Sequence, residues 1–451
     1  MPLHKSRRKF INQCAVYALG FSGLQNLLGK EIRSKENNVN GYGPLIKDPA
    51  KILDLPKDFS YKIIGRSGEL MSDGLYLPDK PDGMATFSSS QNKDVVILIR
   101  NHEINPLTFG VNGPFGKRNS KISLIDENLI YDKGNLLPCL GGTTTVVYDT
   151  RTQKVIKQFL SLIGTLRNCA GGPTPWNSWI SCEEVVMGAG GPCKKDHGWC
   201  FEVPASETPK ITNPIPLKAM GRFNHEAVAV DPISGDVYLT EDRHDGLIYK
   251  FRPYVKSKLE KGGILFSLKI KAQPSFDTRN WKDQKFEVGQ KEEIEWIKME
   301  EVESPNDDLR FQGFSKGSAC FARGEGMWYS QGEIYFACTN GGPKKRGQIW
   351  KINDGKLELF AEPNNPDLVD NCDNLTVSPM GDLFICEDGK GDQFIDVVTS
   401  NGQIFKMAKN SKSSSELSGP TFSPDGSTLF VNIQHDGLTL AITGPWGKKS
   451  V

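Results

Sequence analysis

Ligand-type residues recur at the ends of short apolar segments in this sequence, and together they could build a metal site. The matching positions are Glu103, Glu183 and Glu184, Glu241 and Asp242, Asn340, Glu387 and Asp388, and His435. Each acidic pair taken alone is more typical of a solvated turn. If all of them face one axis, their carboxylates would repel one another and lose hydration unless cations neutralise them. Oxygen ligands in that number suit calcium or high-valent iron, so the sequence predicts a site for several metal ions.

Three further motifs could add ligands and an anion-binding group. The run RNCAGGPTPW places Cys169 just before one acidic segment, as a soft ligand among carboxylates or as a buried cysteine in a turn. Glu226, in GRFNHEA, adds a carboxylate to the repeat that follows it. Arg323 and Glu325 lie two residues apart, so an extended chain turns both to the same side. A guanidinium beside metal ions matches two oxygens of a phosphate. Residues 371–374 (NCDN) offer more oxygen ligands or form an Asx turn.

The acidic positions belong to a repeated unit, in which a turn precedes a strand of alternating polarity. Segments 236–242 (DVYLTED) and 382–388 (DLFICED) are nearly superimposable. The intervals from Asn340 to Asp388 and from Asp388 to His435 are 48 and 47 residues. A period in the forties built from short strands indicates propeller blades, although unrelated hairpins in a sandwich are the alternative.

We therefore predict an all-β fold, a β-propeller of about six blades. A single domain covers residues 31–451, with insertions near 104–140 and 253–318. The best helix candidate after the N-terminus is residues 292–302, inside the second insertion.

The first 30 residues have the pattern of a twin-arginine export signal. Arg7 and Arg8 precede a modestly apolar stretch, residues 14–28. A basic tail followed by a buried helix is the alternative. The pattern predicts export by the twin-arginine machinery, which carries folded proteins, to the periplasm or the extracellular space. Nine cysteines follow Cys14, and this odd number leaves at least one thiol outside any disulfides.

Composition and the absence of common motifs exclude several classes of function. The 55 Lys and Arg against 54 Asp and Glu give a formal net charge of +1 without a basic block, so no nucleic-acid partner is expected. Past the N-terminus no apolar run approaches the ~20 residues of a membrane span. No nucleophile elbow, His-Glu-x-x-His zinc motif, P-loop or dinucleotide fingerprint is present. We expect a monomer that acts on a small molecule.

The order of these motifs resembles the PhoX family of alkaline phosphatases, in a shorter branch of that family. The resemblance runs from about residue 45 to the C-terminus. The motifs are RNCAGGPTPW (167–176), SCEE (181–184), GRFNHEA (221–227), ARGEG (322–326), CEDG (386–389), and FSPDG (422–426) with NIQH (432–435).

Membership of that family would imply a six-bladed propeller with two Fe(3+) and three Ca(2+) ions at one end of its channel, where phosphate monoesters are hydrolysed. Carried over, Cys169 would be an iron ligand and Arg323 would bind phosphate. The resemblance and the residues together predict Arg323, Cys169 and Glu325 as catalytic, and Arg323 and Asn101 as substrate-binding. The predicted metal ligands are Cys169, Glu103, Glu183, Glu184, Glu226, Glu241, Asp242, Glu325, Glu387 and Asp388.

One stretch departs from the family pattern. Larger PhoX members carry a further phosphate-binding arginine before the final blade, whereas residues 405–418 hold only Lys406, Lys409 and Lys412. Lysine supplies charge without a bidentate fork, so we expect reduced or redirected activity on simple monoesters. The alternatives are a calcium-dependent propeller hydrolase of another class, such as a lactonase or phosphodiesterase, and a non-catalytic, metal-stabilised binding propeller.

Overall fold

The structure is a computed structural model that describes residues 41–106, 112–399 and 403–447. Within these ranges the chain forms 26 β-strands and a single α-helix of seven residues. The predicted all-β class is confirmed.

The strands fall into six consecutive units after a short N-terminal part. That part holds β1 (Leu45–Ile46), β2 (Leu53–Pro56) and β3 (Ser60–Arg66). The first unit is β4 (Pro81–Ser88), β5 (Val95–His102), β6 (Gly141–Asp149) and β7 (Lys154–Thr165), and the second is β8 (Asn168–Pro173), β9 (Ser178–Glu183) and β10 (Cys200–Pro204). The third is β11 (His225–Val230), β12 (Val237–Glu241), β13 (Ile248–Pro253) and β14 (Gly263–Ile270), followed by β15 (Lys291–Lys298) and helix α1 (Leu309–Ser315).

The other three units follow the same plan. The fourth is β16 (Gly324–Ser330), β17 (Glu333–Cys338), β18 (Gln348–Asn353) and β19 (Lys356–Ala361). The fifth is β20 (Cys372–Val377), β21 (Leu383–Glu387), β22 (Phe394–Val398) and β23 (Ile404–Asn410), and the sixth is β24 (Leu417–Phe422), β25 (Thr428–Ile433) and β26 (Leu438–Thr443). Short 3-10 helices lie at Lys117–Asn119, Ile122–Leu124, Glu127–Leu129, Lys218–Met220 and Leu259–Lys261.

The units close into a ring, as in a β-propeller. Their first strands, β4, β8, β11, β16, β20 and β24, pack side by side in that order, and β24 packs against β4. The N-terminal strand β3 pairs with the C-terminal strand β26, which completes the sixth unit. The hydrogen-bonded sheets number five, which differs from the predicted six or so blades. The reason is that β15 pairs with both β14 and β19 and joins the third and fourth units into one nine-stranded sheet.

Small residues allow the first strands to meet near the axis. A Cβ on Gly83 would lie 2.6 Å from Ala170 Cα, and one on Gly326 would lie 2.7 Å from the carbonyl oxygen of Asp373. A larger residue at either position would force the close-packed backbones apart. The apolar core lies between neighbouring sheets; between the fifth and sixth units it includes Phe384 and Leu429.

The second predicted insertion differs from expectation. Residues 292–302 do not form a helix, because Lys291–Lys298 is strand β15, in which Ile294 pairs with Ile270 of β14. Its β-branched and aromatic residues favour an extended chain, and two partner strands fix that conformation. The first insertion connects β5 to β6 and contains the three 3-10 helices between Lys117 and Leu129.

All nine cysteines in the described ranges are free thiols. The predicted export signal, residues 1–30, lies outside the described residues. In the part of the chain that the structure describes, no helix combines the length and the apolar character that crossing a membrane requires.

Candidate metal centre

A β-bulge at the same place in all six first strands builds the site. In each unit, two residues of the first strand lie opposite a single residue of the second, which redirects their side chains. The pairs are Asp82–Gly83, Cys169–Ala170, Glu226–Ala227, Glu325–Gly326, Asp373–Asn374 and Gly419–Pro420. The first member is a carboxylate or a thiol in five of the six units. The second member is never larger than asparagine, as the close approach of the strands requires.

The residue that follows each second strand forms a rim beside these bulges. The six rim residues are Glu103, Glu184, Asp242, Thr339, Asp388 and Gln434. Each donates its backbone N–H to a carbonyl two or three residues before the bulge, at N···O distances between 2.9 and 3.3 Å. Four of the six are carboxylates, so the rim adds a second layer of acidic groups to the bulge residues.

The bulges and the rim surround a polar cavity of about 340 Å³. Eight carboxylates line it: Asp82, Glu103, Glu184, Asp242, Glu325, Asp373, Asp388 and Glu416. Among the described residues, the lining holds three lysine or arginine side chains, Lys80, Arg167 and Arg323, together with Cys169 and His435. Asn340 does not line the cavity. Asp82 and Glu416 were not among the predicted ligands.

Burial and mutual repulsion raise the pKa of several carboxyls in and beside the cavity. Burial is the larger cause and neighbouring carboxylates add to it, so the pKa of Glu184 rises to about 8 and that of Asp373 to about 7. The same causes raise the pKa of Asp82, Glu226 and Glu325 well above the usual range. A raised carboxyl pKa means that the charged form is disfavoured. The basic side chains in the lining are therefore too few to compensate the negative charge of the carboxylates.

Cys169 lies at the base of the site between two carboxylates. Its Sγ is 3.5 Å from Oδ2 of Asp82 and 3.3 Å from Oε1 of Glu226. Burial, followed by these neighbouring charges, raises the pKa of the thiol well above its usual value. A cation beside the sulfur would reverse that effect and favour the thiolate.

Asn101 supports Cys169 from behind. Its Nδ2 donates to the carbonyl oxygens of Cys169 and Ala170 at 3.0 and 2.7 Å, and its Oδ1 accepts hydrogen bonds from Trp179 and Ser181. The side chain is fully buried and lies outside the cavity lining. The predicted substrate-binding residue is thus placed where it holds the bulge backbone.

Two arginines stand at the mouth of the cavity, each paired with carboxylates. Nε and a terminal nitrogen of Arg323 lie 2.8 and 3.0 Å from the oxygens of Asp242, and the same terminal nitrogen lies 2.7 Å from Glu325. Arg167 lies 2.8 Å from Glu103. The two arginine side chains are 30% and 29% exposed, so an anion arriving from solvent can reach them.

The family model described as alkaline phosphatase PhoX matches residues 40–437. The chain belongs to the PhoX family. It is accordingly a phosphoric ester hydrolase of the alkaline phosphatase type.

A solved structure shows the same fold. PhoX of Pseudomonas fluorescens, solved with vanadate as a transition state analogue, matches with a TM-score of 0.64 at 18% identity, over 89% of this chain and 97% of that chain. A gluconolactonase from Xanthomonas campestris matches with a TM-score of 0.39 at 12% identity, over 89% of this chain and 98% of that one. No curated protein matches the sequence significantly.

Four predicted ligands are not in the cavity lining of this PhoX chain; Glu226 lies next to it in contact with Cys169, whereas the other three point away. Glu183, Glu241 and Glu387 are the last residues of their strands, and in a strand they face away from the rim residue that follows. Glu183 accepts hydrogen bonds from three backbone N–H groups. Glu241 accepts one from the Tyr249 hydroxyl at 3.0 Å, and Glu387 pairs with Lys406 at 2.8 Å. Glu183 and Glu387 thus have their partners within the protein, whereas Oε1 of Glu241 has no hydrogen bond and lies 3.9 Å from a terminal nitrogen of Arg310.

The three lysines between residues 405 and 418, where the sequence departs from the PhoX pattern, lie near carboxylates outside the cavity lining. Lys406 forms ion pairs with two buried carboxylates at 2.8 and 2.9 Å, and Lys409 and Lys412 face acidic groups at 2.6 and 3.8 Å. None of the three lines the cavity. The cations that do so besides Arg323 are Lys80 and Arg167, which come from just before the first two bulges.

The donor atoms of the site form a connected series that fits adjoining metal ions. Three groups have their ligand atoms within 4.8 Å of one another: Asp82, Glu103 and Cys169; Cys169, Glu184 and Glu226; and Glu226, Glu325 and Asp373. Successive groups share Cys169 and then Glu226. In the described structure Oε2 of Glu226 is buried without a hydrogen-bond partner, which an ion would supply. The residues present thus suit the metal dependence of the PhoX family.

Proposed function

We propose that this chain is an exported phosphatase that hydrolyses phosphate monoesters at a mixed cluster of Fe(3+) and Ca(2+) in the cavity. The excess of carboxylates over basic side chains around Cys169 is the observation that carries the proposal. Carboxylate oxygens suit both calcium and ferric iron, and a thiolate adds a ligand that calcium does not favour. We therefore assign iron to the groups that contain Cys169 and calcium to the carboxylates around Glu325 and Asp373.

The metal ions and the two arginines have separate roles in the proposed reaction. When bound, the metal ions would supply Lewis acidity and lower the pKa of a coordinated water. Arg323 would move from its carboxylate partners toward the phosphoryl oxygens, and Arg167 offers a second guanidinium at the mouth. Among the residues that the structure describes, those that line the cavity are charged or polar apart from Cys169, which favours recognition of the phosphate group.

The test measures metal content and substrate range on the same full-length preparation. We expect iron and calcium to rise and fall with turnover of p-nitrophenyl phosphate, and we expect vanadate to inhibit. A bis-ester and a gluconolactone should be poor substrates. Full monoester turnover after complete removal of iron and calcium would refute the cluster, and preferential lactone or diester turnover would refute the substrate class.

A substitution at the mouth separates binding of phosphate from folding. Arg323→Lys keeps the charge but loses the fork, so we expect kcat/KM to fall roughly 100-fold, in the range found for a lost transition-state donor. Arg151→Lys is the matched control because Arg151 is 70% exposed and lies outside the cavity lining. Equal kinetics of the two variants would remove Arg323 from the mechanism.

Export is proposed from the N-terminal pattern and is tested separately. A double substitution, Arg7→Lys with Arg8→Lys, should retain the protein in the cytoplasm of a bacterium with a twin-arginine pathway. Unchanged appearance of that variant in the periplasm would refute the route.

A further inference from the structure

A second cluster of ligand-type side chains lies apart from the cavity. It consists of Asp132, Cys139, Cys193 and His197, each no more than 2% exposed. One ligand atom from each lies within 4.8 Å of the other three. None of the four residues lines the phosphatase cavity. We call this set the loop cluster.

The donor atoms and their distances suit zinc. Zinc bonds of about 2.0 to 2.3 Å place tetrahedral ligand atoms roughly 3.3 to 3.8 Å apart. In the loop cluster, Nε2 of His197 lies 3.2 Å from Oδ2 of Asp132 and 3.9 Å from Sγ of Cys139. Two sulfurs with one nitrogen and one oxygen favour zinc over calcium or magnesium, which require more oxygen ligands.

The surroundings hold the ligands in orientations that a metal would use. Oε1 of Glu183 forms a hydrogen bond with Nδ1 of His197 at 2.6 Å. This contact orients the ring so that Nε2 faces the centre of the loop cluster. A carboxylate in this position behind a metal-bound histidine is a recurrent arrangement in zinc proteins. Asp132 is fixed by the backbone N–H groups of Lys194 and Lys195, which donate to its Oδ2 at 2.8 and 2.9 Å.

We propose that the loop cluster binds a structural zinc ion that ties two long connections together. Asp132 and Cys139 belong to the connection between β5 and β6, whereas Cys193 and His197 belong to the one between β9 and β10. Within the described residues the first connection contains no strand, and the second contains only the isolated bridges Met187–His197 and Gly190–Cys193. The ion would thus stabilise the fold of these two loops, as structural zinc stabilises small domains.

The loop cluster also reaches the phosphatase site through Glu183. This carboxylate accepts the N–H of Leu166, which precedes Arg167, and it is the residue before the rim carboxylate Glu184. Zinc would therefore stiffen the wall that carries Arg167 and Glu184. The proposal does not depend on the metals or the substrate assigned to the cavity.

Zinc content and its coordination provide the test. We expect full-length protein, produced with zinc and purified without chelator, to hold one zinc that disappears in Cys193→Ser and in His197→Gln. Cys169→Ser, in the cavity, and Cys320→Ser, at a buried thiol outside both sites, should keep it. X-ray absorption at the zinc edge of the wild-type protein should show two sulfur and two nitrogen or oxygen neighbours, which does not require any variant to fold.

Three results would overturn the proposal. The first is wild-type protein without zinc, in which His197 simply pairs with its two carboxylates. The second is zinc that remains in Cys193→Ser or that shows no sulfur neighbours. The third is a peptide linked by a Cys139–Cys193 disulfide after alkylation under non-reducing conditions, because oxidised sulfurs cannot ligate the ion.

Discussion

Removal of the metal ions should make the stability of this protein fall as the pH rises. The pKa of Glu184 is raised from 4.5 to about 8 and that of Asp373 from 3.8 to about 7 in the folded chain. A carboxyl whose folded pKa is raised stabilises the fold fully below its unfolded pKa, and this contribution is lost as the pH rises through the folded pKa. The window is thus 4.5 to about 8 for Glu184 and 3.8 to about 7 for Asp373.

The size of the effect follows from the protons involved. A proton that only the folded state holds changes the free energy of unfolding by about 1.4 kcal/mol per pH unit. Between pH 6 and pH 8, Glu184 alone should lower the stability of the metal-free protein by about 2 kcal/mol, because its folded carboxyl is half deprotonated at the upper limit. This corresponds to roughly 2 °C in Tm for a chain of this length. Bound cations keep the carboxylates ionised throughout, so the loaded protein should lack this slope.

Thermal unfolding at several pH values measures the slope directly. Protein dialysed against chelator is compared with protein reloaded with iron and calcium, between pH 6 and pH 8. Glu184→Gln should reduce the slope of the metal-free protein, whereas Glu260→Gln, at an exposed position outside the cavity, should leave it unchanged. Metal-free stability that stays level or rises over this range, or an equal slope with metals bound, would refute the electrostatic argument.

Four other substitutions test the placement of individual side chains. Cys169→Ser should lose iron and most turnover, and normal iron occupancy would exclude this ligand. Asn101→Ala should lower kcat and iron content more than it changes KM, since it frees the backbone behind the sulfur; a change in KM alone would instead support direct contact with substrate. Asp388→Asn should lower metal content, whereas Glu387→Gln should keep it and cost about 1–3 kcal/mol of stability, because it weakens the hydrogen-bonded pair with Lys406. Identical metal loss in both variants would refute the assignment of these neighbours to opposite faces of the strand.

The propeller could be predicted because its repeat is local. Each of the six repeated segments contains the second strand of one unit, from β5 near the N-terminus to β25 near the C-terminus. Alternating polarity and turns of regular spacing fix such strands within a few residues. Strand β15 could not be predicted in this way, because its conformation depends on β14 and β19, which pair with it only in the folded chain.

The site was predictable as a cluster but not residue by residue. The Glu-Glu and Glu-Asp pairs at the strand ends mark the right end of the channel, yet only the second member of each pair faces it. Which member does so is decided by register with the bulged neighbouring strand, and the sequence does not state that register. Asp82 was overlooked for a related reason, since its Pro-Asp-Gly setting is typical of a turn and carries no acidic pair.

The sixth unit explains why the ligand ring is not symmetric. Its bulge begins with Gly419, which adopts a φ of +60°, and a Cβ there would lie 2.4 Å from the carbonyl oxygen of Asp82. The closing strand β24 thus has no room for a side chain at the position where the other five units carry a ligand. A carboxylate still lines the cavity from this unit, because Glu416 lies three residues earlier and reaches it from outside the bulge. The tight closure of the ring between β24 and β4 therefore moves the last acidic ligand to a position that the repeat in the sequence does not mark.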